Sequence, residues 1–263
     1  MPELPDVEVF RRYFDATSLH KDVREVQVNV PRVLAGITAS GLREKLVGDQ
    51  FRSSQRVGKY LFGALKNSWM VFHFGMTGRL YSYRAPAKQP DHTAVLIQFD
   101  HGDTLAYIDI RKFGKIALTP SIESFVRNTD LGPDVLSISE EAFTDRLRGM
   151  RGSAKSTLMN QSILAGIGNI YSDEILFQAG IHPETRIDTL DRETIHRLFV
   201  TLREVLETAI EAGAEVDALP GTFLIPQRKK GGTCPHCGHP LHTRTFGGRT
   251  SYFCPERQRR ESR

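Results

Sequence analysis

The stretch Leu131-Gly132-Pro133-Asp134 splits the chain into two kinds of sequence. Pro has no backbone N–H to donate, Gly reaches conformations closed to other residues, and together with Asp they favour a turn. Upstream, residues 23–30, 69–74, 94–99 and 104–109 are β-branched or alternating apolar runs bounded by Gly, Pro and Asp, the pattern of half-buried strands. Residues 4–14 read as a helix. Downstream, Phe143, Leu147, Leu158, Ile175, Leu176, Leu198, Leu202, Leu206 and Ile210 recur at helical spacing. The expected fold class is therefore α+β: an N-terminal helix packed on an antiparallel β-sandwich, then a helical domain, then a short C-terminal finger. The expected domains are residues 1–131, 132–226 and 227–263, with Arg228-Lys229-Lys230-Gly231-Gly232 as a basic, flexible lead into the last.

Composition sets wide bounds. The 263 residues suffice for two modest cores, and 40% hydrophobic with 25% charged residues is globular rather than disordered. A net charge of +4 suits a phosphate-binding face but also many ordinary proteins. No apolar run long enough to span a bilayer and no charged-then-apolar leader is seen, so export and membrane insertion are not expected. Three cysteines, two of them in Cys234-Pro235-His236-Cys237, point to a reducing compartment and a metal site rather than a disulfide framework.

The first eight residues, Met1-Pro2-Glu3-Leu4-Pro5-Asp6-Val7-Glu8, carry the chemistry. With Met1 removed, Pro2 offers a terminal secondary amine. An α-amino group titrates near 8 and a lysine near 10.4, so at neutral pH a much larger share of the former is unprotonated and nucleophilic. Attack by a secondary amine on a sugar C1′ gives an iminium that cannot lose its charge by deprotonation, which makes it an electron sink for elimination. Glu3 would shuttle the proton. The same residues also read as an ordinary helix start, with prolines before the first turn and acids stabilised by the helix dipole.

Gly166-Ile167-Gly168-Asn169-Ile170-Tyr171 has a second chemical meaning. Glycines ahead of a helix let backbone N–H groups approach an anion, and Asn169 adds a side-chain donor. A plain helix–helix connection is the alternative.

These segments together resemble the formamidopyrimidine-DNA glycosylase and endonuclease VIII family of base-excision repair enzymes. The opening is similar to that family's MPELPEVE, Gly58-Lys59-Tyr60-Leu61 to GKYL, and Phe74-Gly75-Met76-Thr77-Gly78 to LGMSG. Asp109-Ile110-Arg111-Lys112-Phe113-Gly114 resembles DPRRFG, and Gly166–Tyr171 resembles GVGNIY, followed at the family spacing by Ala179-Gly180-Ile181-His182-Pro183. The resemblance implies a helix-two-turn-helix element and a catalytic group of Pro2, Glu3 and Lys59. It implies phosphate contacts from Lys59, His92, Lys155 and Asn169. It also implies that Met76, Arg111 and Phe113 fill the space left by an extruded nucleotide, since extrusion unstacks the duplex and leaves a hole. That trio looks more like the formamidopyrimidine branch. The implied activity is excision of damaged bases with abasic-site lyase cleavage by β,δ-elimination. The implied partner is double-stranded DNA carrying damaged bases or abasic sites, bound by a monomer in a bacterial-type cytoplasm, at the nucleoid.

Two departures stand out. The family finger has two Cys-x-x-Cys pairs, whereas here Cys254-Pro255-Glu256-Arg257 puts arginine at the fourth ligand position. A guanidinium cannot ligate zinc. Zinc on Cys234, Cys237 and Cys254 with the fourth ligand unassigned is the expectation; His236, His239 or His242 would make a Cys₃His site, and a metal-free hairpin is the alternative. Phe246-Gly247-Gly248-Arg249-Thr250 reads as a turn presenting Arg249, which the resemblance sends into the minor groove, with Arg257, Arg259, Arg260 and Arg263 adding nonspecific charge. The second departure is a short segment between Ala212-Gly213 and Cys234: the loop that in the formamidopyrimidine branch covers an extruded 8-oxoguanine is expected to be reduced or absent, so specificity for 8-oxoguanine is not implied, and formamidopyrimidines, oxidised pyrimidines or a bulky adduct are left open. An endonuclease VIII-like enzyme and a noncatalytic damaged-DNA binder are the rival readings.

Overall fold

The computed structural model describes residues 1–84, 87–246 and 248–259, and its chain clusters into two compact units. The first holds Met1–Pro2 and Asp6–Asp130; the second holds Glu3–Pro5 and the chain from Leu131 on. Arg260, Arg263 and Gly247, named above, lie outside the described residues.

In the first unit, two four-stranded antiparallel sheets share one core. One sheet runs in the order β1 (Val23–Val28), β6 (Thr93–Phe99), β7 (Asp103–Asp109), β5 (Gly78–Arg84). The other runs β2 (Ser54–Val57), β3 (Tyr60–Ala64), β4 (Trp69–His73), β8 (Lys115–Thr119). Helix α1 (Leu4–Ser18) contributes Val7 and Phe14 to the same apolar cluster as Phe51, Phe72, Ile97 and Tyr107. Phe14 meets Phe51 edge-on at 4.9 Å and Phe72 at 5.7 Å. Burying each such ring contributes about 2–3 kcal/mol, and their clustering ties the helix to the strands. Helices α2 (Ala39–Leu46) and α3 (Ile122–Asn128) complete the unit, capped by Thr38 and Ser121.

The second unit is built from α4 (Glu140–Leu147), α5 (Ala154–Met159), α6 (Asn169–Ala179), α7 (Arg192–Glu211) and the hairpin β9 (His242–Phe246) with β10 (Arg249–Phe253). Ser139, Ser153 and Asp191 cap α4, α5 and α7 by accepting a backbone N–H three residues on. The nine apolar residues whose spacing predicts helices here are all buried. Helix α6 is buried along most of its length, so it sits inside its unit rather than on a surface. No described helix is long and apolar enough to cross a membrane.

The strands β2, β3, β5 and β8 are not among the four runs that the sequence pattern reveals. β2 and β5 have largely exposed or half-buried side chains, Ser-Gln-Arg-Val in one and Gly-Arg-Leu-Tyr-Ser-Tyr-Arg in the other. Pairing, not pattern, defines them: β5 aligns from Gly78↔Asp109 to Arg84↔Asp103.

Candidate functional site

In the first unit a buried carboxylate organises the expected void-filling residues. Asp109, at the end of β7, has no solvent exposure. Its Oδ1 accepts the Thr77 hydroxyl at 2.6 Å and its Oδ2 accepts Gly114 N–H at 2.7 Å. Thr77 Oγ1 in turn accepts Arg111 N–H at 2.9 Å. The turn bearing Met76 and the loop bearing Arg111 and Phe113 are thereby braced against each other. Gly75 adopts φ +55°, and a Cβ there would strike the backbone of Phe113 and Gly114, so only glycine permits this approach. Held this way, Met76 is 39% and Phe113 51% exposed, unusual for large apolar side chains; neighbouring Ile110 is 54% exposed. The Arg111 guanidinium lies over the Phe113 ring, 5.0 Å from its centre.

His92 and Lys59 belong to the same unit. His92 is exposed with φ 59°, and its carbonyl accepts Asp109 N–H at 3.1 Å. Lys59 sits in the two-residue turn between β2 and β3, where Arg56 Nη1 donates to the Gly58 carbonyl at 3.0 Å. Burial holds His73 below the ordinary imidazole range, and the nearby Lys59 charge lowers it further while Asp109 opposes. Lys59 and Asp109 thus act on one imidazole.

In the second unit the decisive carboxylate is Glu3, 1% exposed at the start of α6. Its oxygens accept Gly168 N–H at 2.8 Å, Ile170 N–H at 2.8 Å and Tyr171 N–H at 3.1 Å. A helix start leaves such donors without intrahelical partners, and Gly168 has no side chain with which to cap them. The anion that these N–H groups are expected to meet is the chain's own Glu3. Any side chain at Gly168 would collide with the Glu3 carboxylate, which explains the second glycine of the motif. Leu4 N–H also donates to the Gly166 carbonyl at 3.1 Å. Pro2 is half-buried and Met1 is 43% exposed. Asn169 Nδ2 donates to the Thr250 carbonyl of β10 at 3.0 Å, and its Oδ1 is buried without a hydrogen-bond partner among the described residues.

Lys155 requires a correction too. It is fully buried, and its ammonium donates to the Asn169 carbonyl at 2.7 Å and to Asp173 Oδ1 at 2.6 Å. An exposed phosphate contact is incompatible with that position, so Lys155 supports α6 from within. Burial lowers its pKa while Asp173 pulls it back up. Sequence reasoning also missed the acids of α6. Asp173 is 2% exposed, and Glu174, fully buried, accepts Leu224 N–H at 3.1 Å and Ile225 N–H at 2.8 Å. Burial pushes Glu174 up to about 7 against these bonds. Two adjacent acids directly before the apolar run Ile175-Leu176-Phe177 were the available signal.

The finger gathers Cys234, Cys237 and Cys254, with all three sulfurs within 4.8 Å of one another and Cys237 and Cys254 3.6 Å apart. Three thiols so placed fit a zinc ion on three sides. Among the described residues no histidine joins them. His236 packs near the Phe177 ring at 5.4 Å and His242 near Phe253 at 5.9 Å. Arg257 places its guanidinium over Phe177, 5.3 Å from the ring centre. Burial pushes Cys254 up to about 11. Arg249 is exposed at the start of β10.

Comparison with known proteins agrees across the chain. Residues 1–116 match the formamidopyrimidine-DNA glycosylase N-terminal domain, and residues 131–218 match the formamidopyrimidine-DNA glycosylase H2TH domain. A formamidopyrimidine-DNA glycosylase of Pelobacter propionicus is 37% identical over 268 residues, covering 98% of this chain and 100% of that protein. A Lactococcus lactis formamidopyrimidine-DNA glycosylase, solved noncovalently bound to DNA containing an abasic site, superposes with a TM-score of 0.89 at 28% identity, covering 98% of this chain and 100% of that one. A mutant of that enzyme solved with DNA containing a formamidopyrimidine lesion gives a TM-score of 0.88 at 28% identity, with the same coverage.

Proposed function

The chain belongs to the formamidopyrimidine-DNA glycosylase family, and from that premise we propose how its own residues carry out the reaction. As a member it is a base-excision repair enzyme, a DNA glycosylase for damaged bases with abasic-site lyase activity. The proposed substrate is duplex DNA containing a damaged base or an abasic site. The proposed division of labour assigns catalysis and void filling to residues 1–131, backbone contact through Asn169 to residues 132–226, and minor-groove contact through Arg249 to residues 227–263.

The observation that carries the chemistry is Glu3 fixed by three N–H donors immediately after a proline whose nitrogen becomes terminal once Met1 is removed. Pro2 N attacks C1′, the bond from C1′ to the base breaks, and the base leaves with a proton. Glu3 assists by delivering a proton to the ring oxygen as the sugar opens. The resulting iminium acidifies C2′–H, and loss of that proton expels the 3′ phosphate; a second elimination expels the 5′ phosphate. Lys59 and His92 are assigned to backbone phosphates. Met76, Phe113 and Arg111 are assigned to the vacated stack, with Arg111 bonding the orphaned base. Replacing Arg111 with alanine is expected to weaken binding to an abasic-analogue duplex about tenfold, the low end for one lost base contact. Fluorescence anisotropy at fixed salt measures this; unchanged affinity would remove Arg111 from the interface.

Zinc is proposed on Cys234, Cys237 and Cys254, where bound metal would supply structural cross-linking of the finger rather than chemistry on DNA. Arg257→Cys completes a four-thiolate set and is expected to raise zinc affinity at least about tenfold. Competition with a chromophoric chelator tests it, and unaltered zinc retention would argue against a three-thiolate centre.

For lesion preference, the segment from Ala212 to Cys234 favours an open reading. Phe223, Leu224 and Ile225 are buried, and Glu174 anchors two of their N–H groups. A connector held down in this way has little length left to cover an extruded base, so the proposed range extends beyond 8-oxoguanine to formamidopyrimidines, oxidised pyrimidines and bulkier lesions.

A further inference from the structure

Asp173 collects donors from three separate segments. Lys155 of α5 donates to its Oδ1 at 2.6 Å, and Arg228 of the connector donates through Nε and Nη2 to Oδ2 at 3.0 and 2.8 Å. From β10, the Ser251 hydroxyl donates to Oδ1 and Tyr252 N–H to Oδ2 at 3.0 Å. The Arg228 guanidinium also lies over the Tyr252 ring at 5.3 Å. One turn earlier on α6, Asn169 Nδ2 donates to the Thr250 carbonyl. Three consecutive residues of β10 are therefore tied to two positions of α6 on one helix face.

The consequence concerns the next residue along the strand. Side chains alternate across a strand, so Arg249 shares the face of β10 that carries Ser251, which has no solvent exposure. A slip of one residue would turn that face outward and send Arg249 to the other side. Just beyond the strand, buried Gln258 accepts Cys254 N–H on its Oε1 at 2.9 Å and donates from its Nε2 to the Ile181 carbonyl at 2.9 Å.

We propose that Asp173 is the positioning residue that fixes the register of β10 on α6 and so places Arg249 for DNA. The functional half of this proposal rests on Arg249 being a DNA contact. Asp173→Asn would strand the buried Lys155 and the half-buried Arg228 and endanger folding, so the decisive variant is Ser251→Ala, which removes one donor and leaves the ion pairs intact. Full-length wild type, Ser251→Ala, Arg249→Ala and the double variant are compared by hydrogen–deuterium exchange and by affinity for an abasic-analogue duplex. Ser251→Ala is expected to speed exchange of β10 amides and to weaken binding about fivefold, but less than about twofold when Arg249 is already alanine. Unchanged protection of β10, or equal losses in both backgrounds, overturns the proposal. If Arg249→Ala alone leaves affinity unchanged, the DNA-contact reading fails instead, and faster β10 exchange in Ser251→Ala still upholds the tie.

Discussion

Glu3→Gln is expected to slow base excision by about a thousandfold while leaving reaction with a preformed abasic site largely intact. The carboxylate accepts Gly168 and Tyr171 N–H on one oxygen and Ile170 N–H on the other. A glutamine amide must turn its NH₂ toward one of these donors, so it loses acceptor capacity as well as the proton it would deliver. Excision needs that proton because the ring oxygen accumulates charge as the sugar opens. At an abasic site the base is already gone and part of the sugar is an open aldehyde, which an amine attacks without this help. Single-turnover excision beside borohydride trapping on an abasic duplex separates the two steps. Equal loss in both would show that Glu3 serves only to position the N-terminus, and full excision would remove it from the mechanism.

The second large effect is expected at Pro2. Pro2→Gly keeps a terminal amine but makes it primary, so its adduct can shed a proton and become a neutral imine, a weaker electron sink. Glycine also frees the backbone that proline stiffens, so the nucleophile is no longer held over its target. Lyase cleavage is expected to fall at least about a hundredfold. Intact mass must first establish that Met1 has been removed, since a retained Met1 blocks the nitrogen in either protein. Lyase activity equal to wild type would sink the assignment.

What the sequence reveals and conceals follows from the range of the interactions. The runs at 69–74, 94–99 and 104–109 are legible because both faces or one face of each strand is buried, and burial leaves a local mark. Strands β2 and β5 carry little such mark, because their membership rests on pairing with β3 and β7. Met76, Arg111 and Phe113 are visible as motif residues, yet the brace that exposes them is not: Asp109 looks like an ordinary turn aspartate, and its partner Thr77 lies far away in sequence. The burial of Lys155, expected as an exposed phosphate contact, is hidden for the same reason. Its counter-charge, Asp173, comes from a different helix, and nothing adjacent to Lys155 in the chain announces burial. The glycines of Gly166–Tyr171 are rightly read as making room for an anion, but that anion is the chain's own Glu3.

Borohydride trapping on a duplex with a single abasic site, followed by mass-spectrometric mapping of the crosslinked peptide, tests the chemistry most directly. A reduced adduct on the nitrogen of Pro2 is the predicted result. Tight binding with no adduct, or an adduct mapped to a lysine, would contradict the proposed nucleophile.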